Sequence, residues 1–330
     1  VIGMGKLSSC LRATIVLCTA LWFWGESATL AKSNPQRPAR VNSQASEATH
    51  NLAKFDANRI ACWVSNVGHI VTTDSTGKLG MEWPKGSGKG VDYVSGLWLV
   101  GKHGNEIRTA CTSYGSDFAP GPILPDGKAA DTADPRYRVY KINSDGSGDW
   151  HDWPFDLGAP AVMAADGSDS VDASGKKMPM LWGDQTLWWV MNDLDATNSN
   201  GYFWSKPMGI EIHATVFGMA APAPWDDMMF VKWKIINKSN NDYDSCYVTL
   251  WDDPDVGDAT SDLLGCDTTL NLAYCYNDGS DKVYGDKPPA LGFVLLQGPL
   301  IPAPSAQGRA FGQWVENHEN LNMTAFIGGG

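Results

Sequence analysis

Alternation of apolar and polar residues with a period of two constrains this chain more than any other feature. In Val231-Lys232-Trp233-Lys234-Ile235 the apolar side chains fall on one face and the lysines on the other. Ile210-Glu211-Ile212-His213-Ala214-Thr215-Val216 repeats the pattern. Successive strand side chains point to opposite faces, so this spacing suits a half-buried strand; a helix would need an apolar period near 3.6. Strand-like runs at 59–71, 91–100, 106–114 and 136–142 make a first block. Runs at 181–191, 208–219, 228–237 and 246–251 make a second, more regular one. Gly, Asp, Asn and Pro separate them, as turn chemistry requires. Past residue 31, only 46–55 hints at helical periodicity. The polar stretch 237–245 reads as a hairpin loop between two strands. The expected fold is all-β, an antiparallel β-sandwich-like architecture with room for two β subdomains at 58–142 and 181–330, joined by a Gly/Asp-rich connector at 143–180. The final Gly328-Gly329-Gly330 follows Phe326-Ile327 with no closing element, so the second region is expected to be truncated.

The N-terminus reads as an export leader. Lys6 and Arg12 precede an apolar run, A-T-I-V-L-C-T-A-L-W-F-W at 13–24, and Ser27, Ala28 and Ala31 supply the small residues a signal peptidase needs. The run falls short of the roughly 20 residues that span a bilayer, so the mature chain is expected to carry no transmembrane segment. Residues 1–31 are assigned as signal peptide and 32–57 as a polar linker. A secreted or cell-surface location follows. The formal charge of −12, with no Lys/Arg cluster, argues against nucleic acid as a partner.

Export places the cysteines where disulfides persist. Beyond Cys10 and Cys18 in the leader, Cys62, Cys111, Cys246, Cys266 and Cys275 remain, an odd number. Cys266 with Cys275 is the expected pair and Cys62 with Cys111 a weaker one; the competing reading for each is a buried thiol.

The densest chemistry lies at 251–267, W-D-D-P-D-V-G-D-A-T-S-D-L-L-G-C-D. It carries Asp252, Asp253, Asp255, Asp258, Asp262 and Asp267 directly after a strand. Carboxylates so close repel unless water or a cation screens them, and Ca²⁺ takes six to eight oxygen ligands at flexible geometry. The segment is therefore either a Ca²⁺-braced loop or a solvated acidic turn. Asp145–Asp149 with Asp152, and Asp166–Asp169 with Asp172, resemble partial calcium loops that lack the closing glutamate, and solvated turns account for them better. Pro84 to Gly90 lacks the glycine and hydroxyl positions of a phosphate loop and reads as a hairpin turn. The six histidines are scattered, with no zinc or metalloprotease spacing, and no G-x-S-x-G elbow occurs.

Fifteen tryptophans are many for 330 residues. Trp150, Trp153, Trp204 and Trp225 fall near loops, where an indole face could stack on a sugar ring. Trp63, Trp98, Trp188, Trp233 and Trp251 fall within strands and are expected to pack. Partners on this reading are extracellular glycans or surface proteins.

Several strings taken together, G-M-E-W-P-K-G-S-G-K from Gly80, Y-R-V-Y-K-I from Tyr137, G-D-Q-T-L-W from Gly183, M-M-F-V-K-W-K-I-I-N-K-S from Met228 and W-D-D-P-D-V-G-D from Trp251, give the chain a family likeness. From about residue 58 onward it resembles large, mostly uncharacterised secreted proteins of Bacteroidota- and Ignavibacteria-type bacteria. Many of these carry a C-terminal type IX secretion sorting domain. The resemblance implies export by that route and attaches no catalytic residue to the strings. The leading expectation is a structural, adhesive or binding protein. The alternative is an extracellular hydrolase or its carbohydrate-binding portion, which would need two carboxyls at a set separation.

Overall fold

A computed structural model describes residues 2–4, 12–22, 51–74, 76–164, 166–194, 205–310 and 312–328. Strands dominate these residues, and the helical turns Phe155–Leu157 and Trp225–Asp227 are each of the 3-10 type. No helix among them is long and apolar enough to cross a membrane.

A four-stranded sheet runs β3 (Leu52–Phe55), β4 (Ala61–Ser65), β6 (Met81–Glu82), β7 (Gly90–Asp92). In a five-stranded sheet β1 (Ile2–Met4) pairs with β15 (Asp244–Asp253), and β15 pairs with β8 (Val94–His103). The far edge of β8 is shared by β5 (His69–Val71) and β9 (Glu106–Cys111). The largest sheet has nine strands. Its β12 (Gln185–Asn192) carries β10 (Ala119–Pro120) and β11 (Tyr140–Asn143) on one edge. Across the other edge follow β13 (Ile210–Gly218), β14 (Met228–Asn237), β2 (Arg12–Trp22), β18 (Ala290–Gln297), β17 (Leu272–Asn277) and β16 (Asp262–Asp267). A ribbon of β19 (Leu300–Ala310) and β20 (Gln313–Asn320) completes the set. All these pairings are antiparallel. The all-β, sandwich-like expectation holds.

One continuous core fills the space between the sheets. Trp189 and Met191 of β12, Ile212 and Val216 of β13, and Val231 and Trp233 of β14 belong to the same buried cluster as Phe55, Cys62 and Ile70, and as Leu97, Leu99 and Val248. The period-two pattern at 210–216 and 231–235 is thus spent on one core face. Burying an indole such as Trp189 or Trp233 removes about 200 Å² from water and contributes roughly 5 kcal/mol before the loss of conformational freedom. β12 is buried along its whole length. Its outer face, through Trp188 and Val190, packs with Tyr140, Ile142, Trp153 and Ala159. Residues of the Gly/Asp-rich stretch therefore form a second small core against the sheet. Strands from 58–142 and 181–330 also share the five-stranded sheet and the main core, since β8 pairs with β15.

Three expectations are corrected. The 59–71 run is two strands, not one, because the chain turns at Gly68, where φ is +108° and a side chain would collide with Thr112. The 237–245 loop is not a hairpin: β14 and β15 lie in different sheets, so it crosses between the layers. Of the 46–55 stretch, Leu52–Phe55 forms strand β3. The Pro84–Gly90 run joins the paired strands β6 and β7, as a hairpin turn should.

Candidate functional site: a carboxylate cluster beside an aromatic ledge

Where β7 leaves the four-stranded sheet and the chain re-enters as β8 in the five-stranded one, Asp92 is set three residues before Ser95. β15 runs alongside, and its register places Asp252 opposite Ser95 and Asp253 opposite Val94. The Ser95 hydroxyl lies 2.5 Å from Asp92 Oδ2 and also touches Asp252 Oδ1. A hydroxyl has one proton to give and here meets two carboxyl oxygens. One contact is a hydrogen bond donated by Ser95. The other requires either a proton on the second carboxyl or a cation among the oxygens.

Burial sharpens that demand. Asp92 is 1% exposed. Asp92 Oδ1 and Asp252 Oδ2 are both shut off from solvent and no N–H or hydroxyl reaches them, while the two carboxyls lie close enough to share a proton. Desolvation pushes the Asp92 carboxyl up to about 7, with Asp253 and Asp255 adding repulsion. The Asp252 carboxyl is raised well above its ordinary value, first by burial and then by the charge of Asp92. An unpaired carboxylate in the interior is costly, so the pair is a place where a proton or metal ion binds.

The other aspartates of 251–267 are employed separately. Asp253 Oδ2 accepts a hydrogen bond from the Tyr114 hydroxyl at 2.8 Å. Asp258 Oδ1 caps a turn by accepting from the Thr260 N–H at 3.1 Å and its hydroxyl at 2.9 Å, while Oδ2 pairs with Lys282. Those bonds, the Lys282 contact foremost, hold the Asp258 carboxyl down at about 2. Asp262 accepts from the Val256 N–H at 3.1 Å and the Asn277 amide at 2.9 Å. Burial raises its carboxyl to about 7, aided by the charge of Asp255. Asp267 closes the β16–β17 turn by accepting from the Thr269 N–H at 2.8 Å. The six do not all converge: Asp252 pairs with Asp92, Asp253 and Asp255 lie near enough to repel that pair, Asp262 is held by Asn277, and Asp267 stands at the far end of a hairpin. Among the described residues no group of three or more His, Cys, Asp and Glu is arranged to hold a metal ion.

Sequence reasoning missed two residues that organise this edge. Asp92 lies in G-V-D-Y, with nothing in one dimension to link it to Asp252. Asp281, 4% exposed, accepts from the backbone N–H groups of Asp258 at 2.8 Å, Val283 at 2.7 Å and Tyr284 at 2.6 Å. Gly257 sits against it with φ of +74°, where a side chain would overlap the Asp281 carboxylate. The N-D-G-S-D-K string at 277–282 was a visible turn signal, but its partner across the sheet was not.

Next to the carboxylates stands an aromatic ledge. Trp98 and Trp251 stack nearly parallel at 5.9 Å between ring centres, and Tyr114 meets Trp251 edge-on at 5.0 Å. Tyr114 is 50% exposed. Of the four tryptophans expected to bind sugars, Trp150 and Trp153 are packed away. Trp153 is 4% exposed, donates to Pro160 O at 3.0 Å and packs against Trp188, so it is a core residue and not a platform. Trp150 donates to Asn143 O at 3.0 Å and packs on the same small core. Trp225 is exposed, on a 3-10 turn. Trp204 lies outside the described residues. Trp153 does line a cleft of about 410 Å³ with Arg136, Arg138, Tyr140, Asp152 and Asp156. Its cations are already neutralised: Arg138 grips Asp149 through two bonds of 2.7 and 3.0 Å, and Arg136 pairs with Asp134 and Asp156.

The expected disulfides are absent among the described residues: Cys62, Cys111, Cys246, Cys266 and Cys275 are free thiols. Cys266 faces Ala273 and Cys275 faces Leu264 across the hairpin, an offset of two residues that leaves the two sulfurs on a diagonal too long for a bridge. Cys275 is buried in the core while Cys266 is exposed. Cys62 touches the Met229 sulfur at 3.5 Å, and Cys111 the Leu99 carbonyl. The partial calcium loops at Asp145, Asp166 and Asp172 are tight turns in which each aspartate accepts from a serine two residues on, at 2.6 to 2.9 Å for Asp145. Ser65 does contact His69 Nδ1 at 2.7 Å, but both are buried and His69 Nε2 is turned to the Ser113 carbonyl. That pairing braces the β4–β5 turn.

Protein-family profiles, curated proteins and solved structures were each compared with the chain, and none matches.

Proposed function

We propose that the protein is an exported, cell-surface β-sandwich with a structural or binding role, whose β7–β8–β15 junction is braced by Ca²⁺. The observation that carries this reading is the meeting of Asp92 and Asp252 on one serine hydroxyl, each keeping a solvent-excluded oxygen that no N–H or hydroxyl reaches. The donors are hard oxygens, the class Ca²⁺ prefers. Asp92, Ser95 and Asp252 would supply part of the six to eight oxygens that Ca²⁺ takes, with Asp253 and Asp255 the nearby carboxylates, and its charge would offset the repulsion among them. The role is stabilisation of a junction between two sheets and of the ledge built on it. Export supplies a calcium-containing medium, and the apolar run at 13–24 supports export. The family likeness favours the type IX route.

Calorimetric titration of the purified chain with CaCl2 tests the reading. A single site lost in Asp252→Asn supports it; no heat of binding at neutral pH removes it.

One observation favours a second reading, a carbohydrate-binding surface. Trp98, Trp251 and Tyr114 form a ledge whose flank carries Asp253, and ring faces beside a carboxylate suit the C–H and hydroxyl groups of a sugar. A glycan array probed with the native chain and with Trp251→Ala decides it: retention by the native chain alone is expected, and equal silence discards it.

A further inference from the structure

Lys232 and Lys234 stand on the face of β14 opposite the core, and an aromatic ring lies over the first of them. Trp182 is pinned by Thr186, whose hydroxyl accepts from the Trp182 N–H at 2.8 Å and donates to the Trp182 carbonyl at 3.0 Å. The Trp182 ring tilts onto Phe217 at 5.8 Å between centres, and Phe217 stacks on its register partner Phe230 at 5.0 Å. Lys232 Nζ lies 4.8 Å from the centre of the Trp182 ring. The lysine remains partly open to solvent.

What Lys232 lacks is an oxygen. Lys128, Lys141, Lys177, Lys206, Lys238 and Lys282 each pair with a carboxylate. Among the described residues Lys232 has no such partner, and the charge acting on it is that of Lys234, two positions along the same face. Its register partner on β13 is Thr215, and His213, two residues before Thr215, is bonded to Glu211 at 2.9 Å. Its register partner on β2 is Val16. A ring face favours an ammonium, whereas loss of water and a second ammonium disfavour it. The opposing effects prevail: burial first, then Lys234, push the Lys232 amine below its ordinary value. Only the free amine is a nucleophile, and desolvation or a neighbouring cation is what activates a lysine.

We propose that Lys232, set without a counter-ion between the Trp182 ring and Lys234, is a nucleophilic amine that forms a reversible imine with a small aldehyde or ketone. The Lys232 nitrogen attacks the carbonyl carbon, a C–N bond forms, and the C=O pair moves to oxygen. The carbinolamine then takes a proton from solvent and loses water, leaving the imine; hydrolysis reverses both steps. Lys234 acts through its charge, which disfavours the ammonium form of Lys232. The site is independent of the calcium and export readings.

The test is limited reductive alkylation of the full chain with acetaldehyde and sodium cyanoborohydride at about pH 7, read by peptide mapping. Lys232 should be alkylated several-fold faster than Lys102, an exposed lysine on β8. A rate at or below that of Lys102 overturns the proposal. The advantage should vanish in urea; one that persists in the unfolded chain belongs to local sequence and overturns the structural account. Lys234→Gln should move the midpoint of the Lys232 rate–pH profile upward, towards that of Lys102, and an unmoved midpoint refutes the role given to Lys234. Should that variant fail to fold, salt replaces it. Raising ionic strength screens the Lys234 charge and should lower the Lys232 rate relative to Lys102 in the native chain, and an unchanged ratio counts against the proposal.

Discussion

Asp92 and Asp252, one closing β7 and the other near the end of β15, meet on the Ser95 hydroxyl, whose single proton cannot serve both. The stability of the sheet junction is therefore linked to whatever neutralises the pair.

Without metal, stability falls as pH rises. Both carboxyls keep their protons in the folded chain to higher pH than in the unfolded chain, so the stabilising contribution is complete below the ordinary aspartate range and is lost as pH climbs through the folded value, about 7 for Asp92. Each such group changes stability by at most about 1.4 kcal/mol per pH unit over that window. Asp193 and Asp262, raised by burial to about 6 and 7, act in the same direction. Urea denaturation in chelator between about pH 5 and pH 8 should show the decline, and Asp252→Asn should make it shallower. An unchanged slope in the variant would assign the effect to Asp193 and Asp262 alone.

Replacing Asp281 should hurt more than replacing Asp267. Asp281→Ala strands three backbone N–H groups at a buried position, a loss of about 3 kcal/mol. Asp267→Ala removes the cap of an exposed turn, worth well under that. Paired denaturation curves check the order, and equal losses would refute the role given to Asp281.

Thiol chemistry should single out one residue. Cys266 is exposed, whereas Cys62, Cys111, Cys246 and Cys275 are buried, and burial pushes the Cys62, Cys111 and Cys275 thiols up. Brief native alkylation followed by peptide mapping should label Cys266 and spare those four. Modification of Cys275 at the same rate, or a Cys266–Cys275 peptide under non-reducing conditions, would contradict the hairpin register.

What the sequence reveals and hides follows from how local each signal is. The bounds of β14, Met228–Asn237, are readable because valine, tryptophan and isoleucine alternate with lysine on one strand. β19 is not, because Pro302 and Pro304 lie inside it and proline argues against a strand; the ribbon tolerates them where its register slips between Pro302 and Gln307. The acidic stretch at 251–267 is visible as charge, yet its decisive partner, Asp92, arrives from another sheet. A crossing such as β14 to β15 is likewise set by tertiary packing, so the polar 237–245 loop carries no trace of it.

The melting temperature of the full chain near pH 8, compared in millimolar CaCl2 and in chelator, tests the central claim most directly. Binding at about 100 times the dissociation constant adds about 2.7 kcal/mol, a rise of roughly 5 °C for a chain of this size, and Asp92→Asn or Asp252→Asn should abolish the rise. Identical melting temperatures with and without calcium, in a protein whose stability still declines with pH, would show that a proton alone settles the pair and would contradict the calcium brace.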